Sequence, residues 1–395
     1  MSEIIAEFRG GAPLKPTDFV KSGVMVLPKG AVGRDGWLRM DDSVQFCTQE
    51  YADAHANNQV DETYTIVVLR DLVPSGPSIG LMVEIGNSAN FLLAQGVYGF
   101  KLNSRAEPSY ITQLSNTRWY RHLMNSIMVG STQVHVTNTA FKLARIPLPP
   151  LPEQRAIAEA LSDADASIAA LEAMIAKKRD LKQAAMQHLL TGKTRLPGFS
   201  GEWEVKRLGE LCDVDPDNLG SGTAPSYFFK YISLEDVSKG QLLGYSELEF
   251  RFAPSRARRK LQSDDILVST VRPNLQAHLH FKSDIEDWVC STGFAVLRCV
   301  KDKSSSGFIF QHLFGDGINQ QIEKLITGSN YPAINSREVR LLEILAPCEK
   351  EQTAIAEVLS DMDADLTALE ARAAKARAVK QGMMQELLTG KVRLV

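Results

Sequence analysis

The stretch EQRAIAEALSDAD, residues 153–165, returns as EQTAIAEVLSDMD at residues 351–363. The offset is 198 residues (351 − 153), and at that offset LLTGKTRL (189–196) returns as LLTGKVRL (387–394). About two-thirds of the positions from Glu153 to Leu196 are identical to those from Glu351 to Leu394, without a gap. Chance does not produce such a match. The chain is a tandem of two units, each a variable segment followed by a copy of one block.

Within the second copy Ile355, Leu359, Met362, Leu366, Leu369 and Ala373 step by four and three in turn, the a/d spacing of a coiled-coil seam. The first copy repeats it with Ile157, Leu161, Ala164, Ile168, Leu171 and Ile175. Good helix formers and solvated residues lie between. Pro150 and Pro152 stand at the start, and Gly192 and Gly390 stand where a C-terminal glycine turns left-handed. The spacing predicts a helix of about 38 residues, roughly 55 Å long, in each copy. A seam two apolar positions per heptad wide is too narrow for a helix sunk in a globular core. The helices are therefore expected to pair with each other, not to fold back on their own domains, giving a pseudo-twofold molecule.

A chain of 395 residues suits two or three domains. Its 44% apolar and 23% charged content excludes a disordered or collagenous chain. With 44 Lys and Arg against 47 Asp and Glu the net charge is −3, so any basic surface must be local. Five scattered cysteines, Cys47, Cys212, Cys290, Cys299 and Cys348, include no CxxC pair and read as reduced, mostly buried thiols. The acidic start MSEIIAEF is unlike a signal peptide, and no apolar run approaches a membrane span. A cytoplasmic protein is expected.

The variable segments, 1–149 and 197–346, are rich in short β-type runs broken by Gly, Pro, Asn and Ser. Tyr64–Leu69 and Asp265–Val271 are the clearest. Each segment later carries an aromatic stretch (Val97–Phe100; Gly293–Leu297), then a helical piece around Thr117–Met128 or Phe308–Leu325. A polar loop follows, Gly130-Ser131-Thr132-Gln133 in one and Gly328-Ser329-Asn330-Tyr331 in the other, again 198 apart. The expected class is α+β, with two similar globules (1–149 and 197–346) and two helical segments (150–196 and 347–395).

On these residues the chain resembles the specificity subunit of type I restriction–modification systems. The carriers are LPPLPEQRAIA (148–158), LLTGKTRL (189–196), the lead-in PGFSGEW (197–203) and the Gly130-Ser131-Thr132 loop. The two-copy layout is more specific than any one of them. The resemblance implies two target-recognition domains, each reading half of a bipartite sequence in double-stranded DNA. It implies that the helices pair antiparallel as a spacer and dock two modification subunits, with restriction subunits joining for ATP-dependent cleavage. S-adenosylmethionine, ATP and Mg would belong to those partners and no cofactor to this chain. One departure stands out: the second unit opens with Trp203–Glu210, whereas the first begins almost at the equivalent of Gly209.

Base readout calls for forked or amide side chains, and phosphate contact for Lys, Arg or small donors. In the second unit the candidates are the basic cluster Arg256, Arg258, Arg259 and Lys260; then Arg272, Asn274 and Gln276 after the strand ending at Val271; then Asn330 and Tyr331. In the first they are Lys15 and Arg34 in glycine-rich turns, Arg70 at a strand end, and Ser131, Thr132 and Gln133. Asp215-Pro216-Asp217 reads as a turn. Lys177, Lys178, Arg179 and Lys182 read as a solvated helix flank. His278 and His280 have no third ligand at zinc spacing, and a shared strand face accounts for them. The sequence holds no GxxxxGK[ST], no Asn-Pro-Pro-aromatic motif and no nucleophile–His–acid set, so no catalysis is expected of this chain. Two rival readings are a coiled-coil adaptor with two protein-binding heads and the reader part of a fused restriction enzyme.

Overall fold

Each copy of the repeated block forms one 39-residue helix, Leu151–Leu189 and Glu349–Leu387. The computed structural model describes residues 1–33, 36, 38–40, 44–86, 89–326 and 332–394. Gly192 and Gly390 follow the helix ends with φ of +68° and +74°, a left-handed backbone that glycine adopts without strain.

The chain divides into two compact units, residues 1–172 with 371–395, and residues 173–370. Both helices cross the division. Each unit therefore holds one globule, the first part of one long helix and the last part of the other. Inside the first unit Glu153, Asp165 and Glu172 pair with Arg393, Lys380 and Arg377 at 2.6, 2.6 and 2.5 Å. Residue numbers rise on one side as they fall on the other, so the segments run antiparallel. Inside the second unit Glu351, Asp363 and Glu370 pair with Arg195, Lys182 and Arg179 at 2.6, 2.5 and 2.5 Å. Every one of these partners is its counterpart's number shifted by 198. Three basic residues of the presumed solvated flank, Lys178, Arg179 and Lys182, are thus engaged by acids across the helix pair.

Along the seam Ile157, Leu161, Ile175, Ile355, Leu359, Leu366 and Ala373 are buried. Ala164, Ile168, Leu171, Met362 and Leu369 are half-buried. The helices pair as the spacing requires, yet their first turns also pack on their own globules. In the first unit Ile157, Ala158 and Leu161 share a core with Met384, Leu387 and Leu388 and with Tyr110, Ile111 and Leu114. In the second, Ile355, Ala356 and Leu359 do so with Met186, Leu189 and Leu190 and with Phe308, Ile309 and Leu313. Ala158 and Ala356 widen the apolar face beyond the two-position seam there, and the wider face has two surfaces to cover.

Each globule is α+β. A four-stranded sheet in the first unit has the order Ile5–Arg9, Val97–Leu102, Thr65–Val68, Met82–Glu84. The second unit repeats it as Cys212–Val214, Phe294–Cys299, Ile266–Ser269, Leu279–His280. The runs TIVV and ILVS are buried at every residue, as continuous apolar strands covered on both faces should be. A further sheet in each globule contains one parallel pair, Val24–Leu27 with Phe91–Leu93 and Phe228–Ile232 with Trp288–Ser291. Two short helices follow the main sheet where the sequence suggested one: Pro108–Ser115 and Arg118–Ser126, then Ser306–His312 and Asp316–Leu325. Their starts are again 198 apart. The earlier helix of the first unit opens on Pro108, which is tolerated in a first turn and reads locally as a breaker.

The lead-in strand Glu204–Arg207 pairs with Glu343–Ala346. Just after it the Leu208 N–H donates to the Leu342 carbonyl at 2.8 Å. In the first unit the Met1 amine donates to the Ala144 carbonyl at 2.6 Å, 198 residues before Leu342. All five cysteines are free, and three are buried. Among the described residues no helix is long and apolar enough to cross a membrane.

Candidate nucleic-acid interface

The buried strand Thr65–Val68 leaves the first globule through Leu69 to Arg70 and Asp71, which pair with His135 and Val134. Mutual backbone bonds of 2.9 Å between Val129 and His135 close a hairpin whose exposed tip is Gly130-Ser131-Thr132-Gln133. Gly130 has φ +112°, and a Cβ there would lie 2.1 Å from the Gln133 carbonyl oxygen, so the hairpin requires glycine. The Arg70 guanidinium donates to Gln133 Oε1 at 3.2 Å, and both side chains are exposed. The fold thus gathers Arg70, Ser131, Thr132 and Gln133 on one surface. Lys15 is exposed elsewhere, ahead of Phe19–Val20 at the edge of the five-stranded sheet. Arg34 lies outside the described residues.

Asp71, only 1% exposed, fixes the loop beyond Arg70. Its carboxylate accepts from Lys29 Nζ at 2.8 Å, the Leu72 N–H at 2.7 Å, and the Ser78 N–H and hydroxyl at 3.0 and 2.5 Å. Burial pushes its pKa up, but the Lys29 ammonium and the Ser78 donors outweigh that and hold it well below the usual carboxylate range. Sequence reading passed over Asp71 and Lys29. The Asp at a strand exit seven residues before a serine was the available signal.

The second unit builds the same exit. Thr270 donates to the Gly293 carbonyl at 2.9 Å and accepts from the Ile334 N–H at 2.9 Å. Leu69 likewise donates to Gly96 at 3.2 Å and accepts from Val136 at 2.9 Å, and Val136 is 198 residues before Ile334. The Arg272 N–H then donates to the Pro332 carbonyl at 2.7 Å. Arg272 (φ +49°) and Gln276 (φ +54°) are both left-handed and flank the turn Pro273–Leu275. Each such residue stores about 1–3 kcal/mol, a strain that recurs at binding sites. Asn274 is exposed and Gln276 half-buried. Asn330 and Tyr331 lie outside the described residues.

The four bases at 256–260 do not act as one cluster. Strand Ala257–Leu261 sends three of them to different partners, and Arg256 precedes it. Arg256 is exposed, and Arg258 lies over the Phe250 ring at 4.8 Å. Arg259 pairs with Asp215 at 2.8 Å and also donates to Asn218 at 3.2 Å. Lys260 is 3.6 Å from Asp217. The acids read as a simple turn therefore offset two of the four bases, which leaves less free positive charge here than the sequence suggests. His278 accepts from the Ser269 N–H at 3.1 Å, and His280 meets Asp264 at 3.1 Å. Their rings pack on Phe314 and Phe310 respectively, at the short strand Leu279–His280.

A basic feature of the first unit escaped the sequence reading. Arg118, Arg121 and His122 line a groove of about 770 Å³ with Ser75, Gln381 and Gln385. Arg121 donates to the carbonyls of Pro77 and Ile79, tying the helix to the loop beyond Arg70. The signal was an Arg-x-x-Arg-His run on a predicted helix.

Two stretches of the chain, residues 31–179 and 200–377, match the model of the type I restriction modification DNA specificity domain. The type I restriction enzyme MjaVIII specificity subunit of Methanocaldococcus jannaschii is 26% identical over 291 residues, 67% of this chain and 66% of that protein. The StySPI specificity subunit of Salmonella potsdam is 27% identical over 299 residues, 71% of this chain and 64% of that one. The matches span about two-thirds of these relatives' lengths. Among solved structures, the type I restriction-modification S subunit from M. genitalium superposes with a TM-score of 0.60 at 13% identity, covering 98% of this chain and 94% of that one. A chain from a structure addressing complex assembly and conformational transition of the type I R-M system gives 0.57 at 15% identity, covering 99% and 97%. At these identities the likeness is one of fold.

The class defined is a two-headed specificity protein. The chain belongs to the type I restriction–modification specificity subunit family, the non-catalytic component of such systems.

Proposed function

We propose that each globule reads one half of a bipartite double-stranded DNA target through its strand-exit surface, around Arg70 and Gln133 in one unit and Arg272 and Asn274 in the other. The observation that carries the reading is the strand exit itself. Its backbone anchors are equivalent in both units, while the side chains at its tips differ. Two readers multiply selectivity, since each mismatched pair costs about 1–3 kcal/mol and both halves must fit. In this reading residues 1–149 and 197–346 are the readers, and 150–196 and 347–395 form the spacer that sets half-site spacing.

The same helices dock two modification subunits. Exposed residues kept in both copies, such as Glu159 and Glu357 and Lys177 and Lys375, suit one partner bound twice. S-adenosylmethionine belongs to those partners, and ATP and Mg to restriction subunits, in a cytoplasmic complex. The test is a mobility shift with the co-encoded modification subunit. Saturable binding to one bipartite sequence is expected, with Arg70→Ala and Arg272→Ala each relaxing one half by about 1–3 kcal/mol. Absence of DNA binding by the assembled complex overturns the reading and favours a protein-binding adaptor.

A further inference from the structure

Both strand exits hold a large apolar side chain in water. Leu72 is 66% exposed two residues beyond Arg70, and Leu275 is 57% exposed three residues beyond Arg272. Val73, beside Leu72, is 47% exposed. Single exposed leucines are ordinary on a surface. These two are not carried on slack chain. The Leu72 N–H is held by the buried Asp71 carboxylate, whose other oxygen binds Ser78 at the far end of the loop. Leu275 ends a turn bracketed by the left-handed Arg272 and Gln276, and its N–H donates to the Arg272 carbonyl at 2.9 Å. The two units fix the backbone by unrelated means, a buried carboxylate in one and strained φ angles in the other. Both place an arginine and then an outward leucine shortly past the shared backbone anchor, Arg70 and Leu72 beyond Leu69 and, slightly further along, Arg272 and Leu275 beyond Thr270. Neither leucine contributes to a core, so folding does not account for the coincidence.

The chemistry that suits such a group is narrow. A duplex carries negative phosphates and polar base edges; its apolar feature in the major groove is the C5-methyl of thymine. A forked arginine and an apolar tip on one short loop suit a guanine edge and a thymine methyl of the same half-site. We propose that Leu72 and Leu275 are base-reading residues, each seated against a thymine methyl group in its own half-site. The inference rests on the DNA-reading function above and adds to it which atoms are read. An apolar wedge that parts stacked bases is the competing use of an exposed leucine, and it does not depend on the methyl group.

The experiment uses the full-length chain assembled with its modification subunit, on a target located by mapping methylated adenines. Each thymine of the target is replaced in turn by uracil, which deletes only the methyl group. For the unaltered complex, one position in each half-site should weaken binding about three- to fivefold, the worth of one buried carbon. In Leu72→Ala that sensitivity should vanish in one half-site and persist in the other, which serves as the internal control for folding. Leu275→Ala should show the converse. Uniform indifference to uracil, or sensitivity that survives both substitutions, overturns the proposal. A loss of affinity in Leu72→Ala that is equal on thymine and uracil DNA also overturns it, in favour of a wedge. Failure of the unaltered complex to bind any bipartite site defeats the DNA-reading function itself and is told apart on that ground.

Discussion

In the first unit the loop beyond Arg70 hangs from the carboxylate of Asp71; in the second the loop beyond Arg272 turns on two left-handed residues and has no such acid. A few strands away the same two units agree bond for bond. Gln113 donates to Asp165 at 3.0 Å, and Gln311 to Asp363 at 2.9 Å. Gln154 accepts from the Glu107 N–H and donates to the Arg105 and Pro149 carbonyls; Gln352 does the same with Ser305, Lys303 and Pro347. Every residue in the second set is its counterpart's number plus 198. Identity persists where a side chain must meet backbone groups in fixed geometry. It is lost where only the loop's backbone anchor is needed and the tip faces outward.

The glutamine clips offer the largest test of that equivalence. Gln154 and Gln352 are at most 1% exposed, and each satisfies one N–H and two carbonyls. A Gln154→Leu or Gln352→Leu change removes the side-chain partner of one N–H and two carbonyls, mostly part-buried, and should cost about 2–3 kcal/mol within the unit concerned. Native-state hydrogen exchange near residues 103–107 and 301–305 would report each unit separately. Matching losses sharpen the comparison, and a loss in one unit alone breaks it.

A difference of similar size, read by pH, comes from a position where the repeat does not hold. Leu114 in the first core corresponds to His312 in the second, where the imidazole Nε2 has no hydrogen-bond partner. Burial lowers the pKa of His312 to about 3 and that of His278 to about 4. Both rings stay neutral in the folded unit but charge in the unfolded chain below about pH 6.5. Their stability is therefore fully present above that pH and is lost as pH falls towards the folded values. For His278 the change is about 3 kcal/mol. Asp71 has the opposite origin: its lowered pKa keeps its stabilisation until the pH drops below the usual carboxylate range. Between pH 6.5 and 4 the second unit should loosen while the first holds, and His312→Leu should blunt the effect. Equal acid sensitivity of both units in hydrogen exchange would break the distinction.

The helices and the tandem were legible because they rest on spacing and identity, which survive without any knowledge of contacts. Arg70 was legible for the same local reason, as a base at the end of an apolar strand. The fate of Arg259 was not. It depends on Asp215, 44 residues earlier and just past the strand Cys212–Val214 of another sheet, meeting the strand Ala257–Leu261, and no local pattern encodes that meeting. Gln154 hid in the repeated block because its partners are backbone groups of residues 105–107, which carry no side-chain signature. The mixed packing at the helix starts was missed because one alanine beside the seam changes the width of the apolar face without changing its period.

The smallest test completes the repeat where it is broken. Lys178 pairs with Asp365 at 2.8 Å in the second unit, with side chains 40% and 62% exposed. The corresponding residues of the first unit are Ala376 and Ser167. Because the antiparallel register is the same in both units, Ser167→Asp with Ala376→Lys should form the missing pair. Exposed pairs gain little, so the double variant should exceed the sum of its single variants by about 0.3–0.5 kcal/mol, a coupling that fades at high salt. A coupling of zero at low salt would mean that the shared register does not by itself bring these two exposed side chains together in the first unit. The larger tests cannot detect such a local difference, because the glutamine clips lie at the helix starts and this position lies further along the pair.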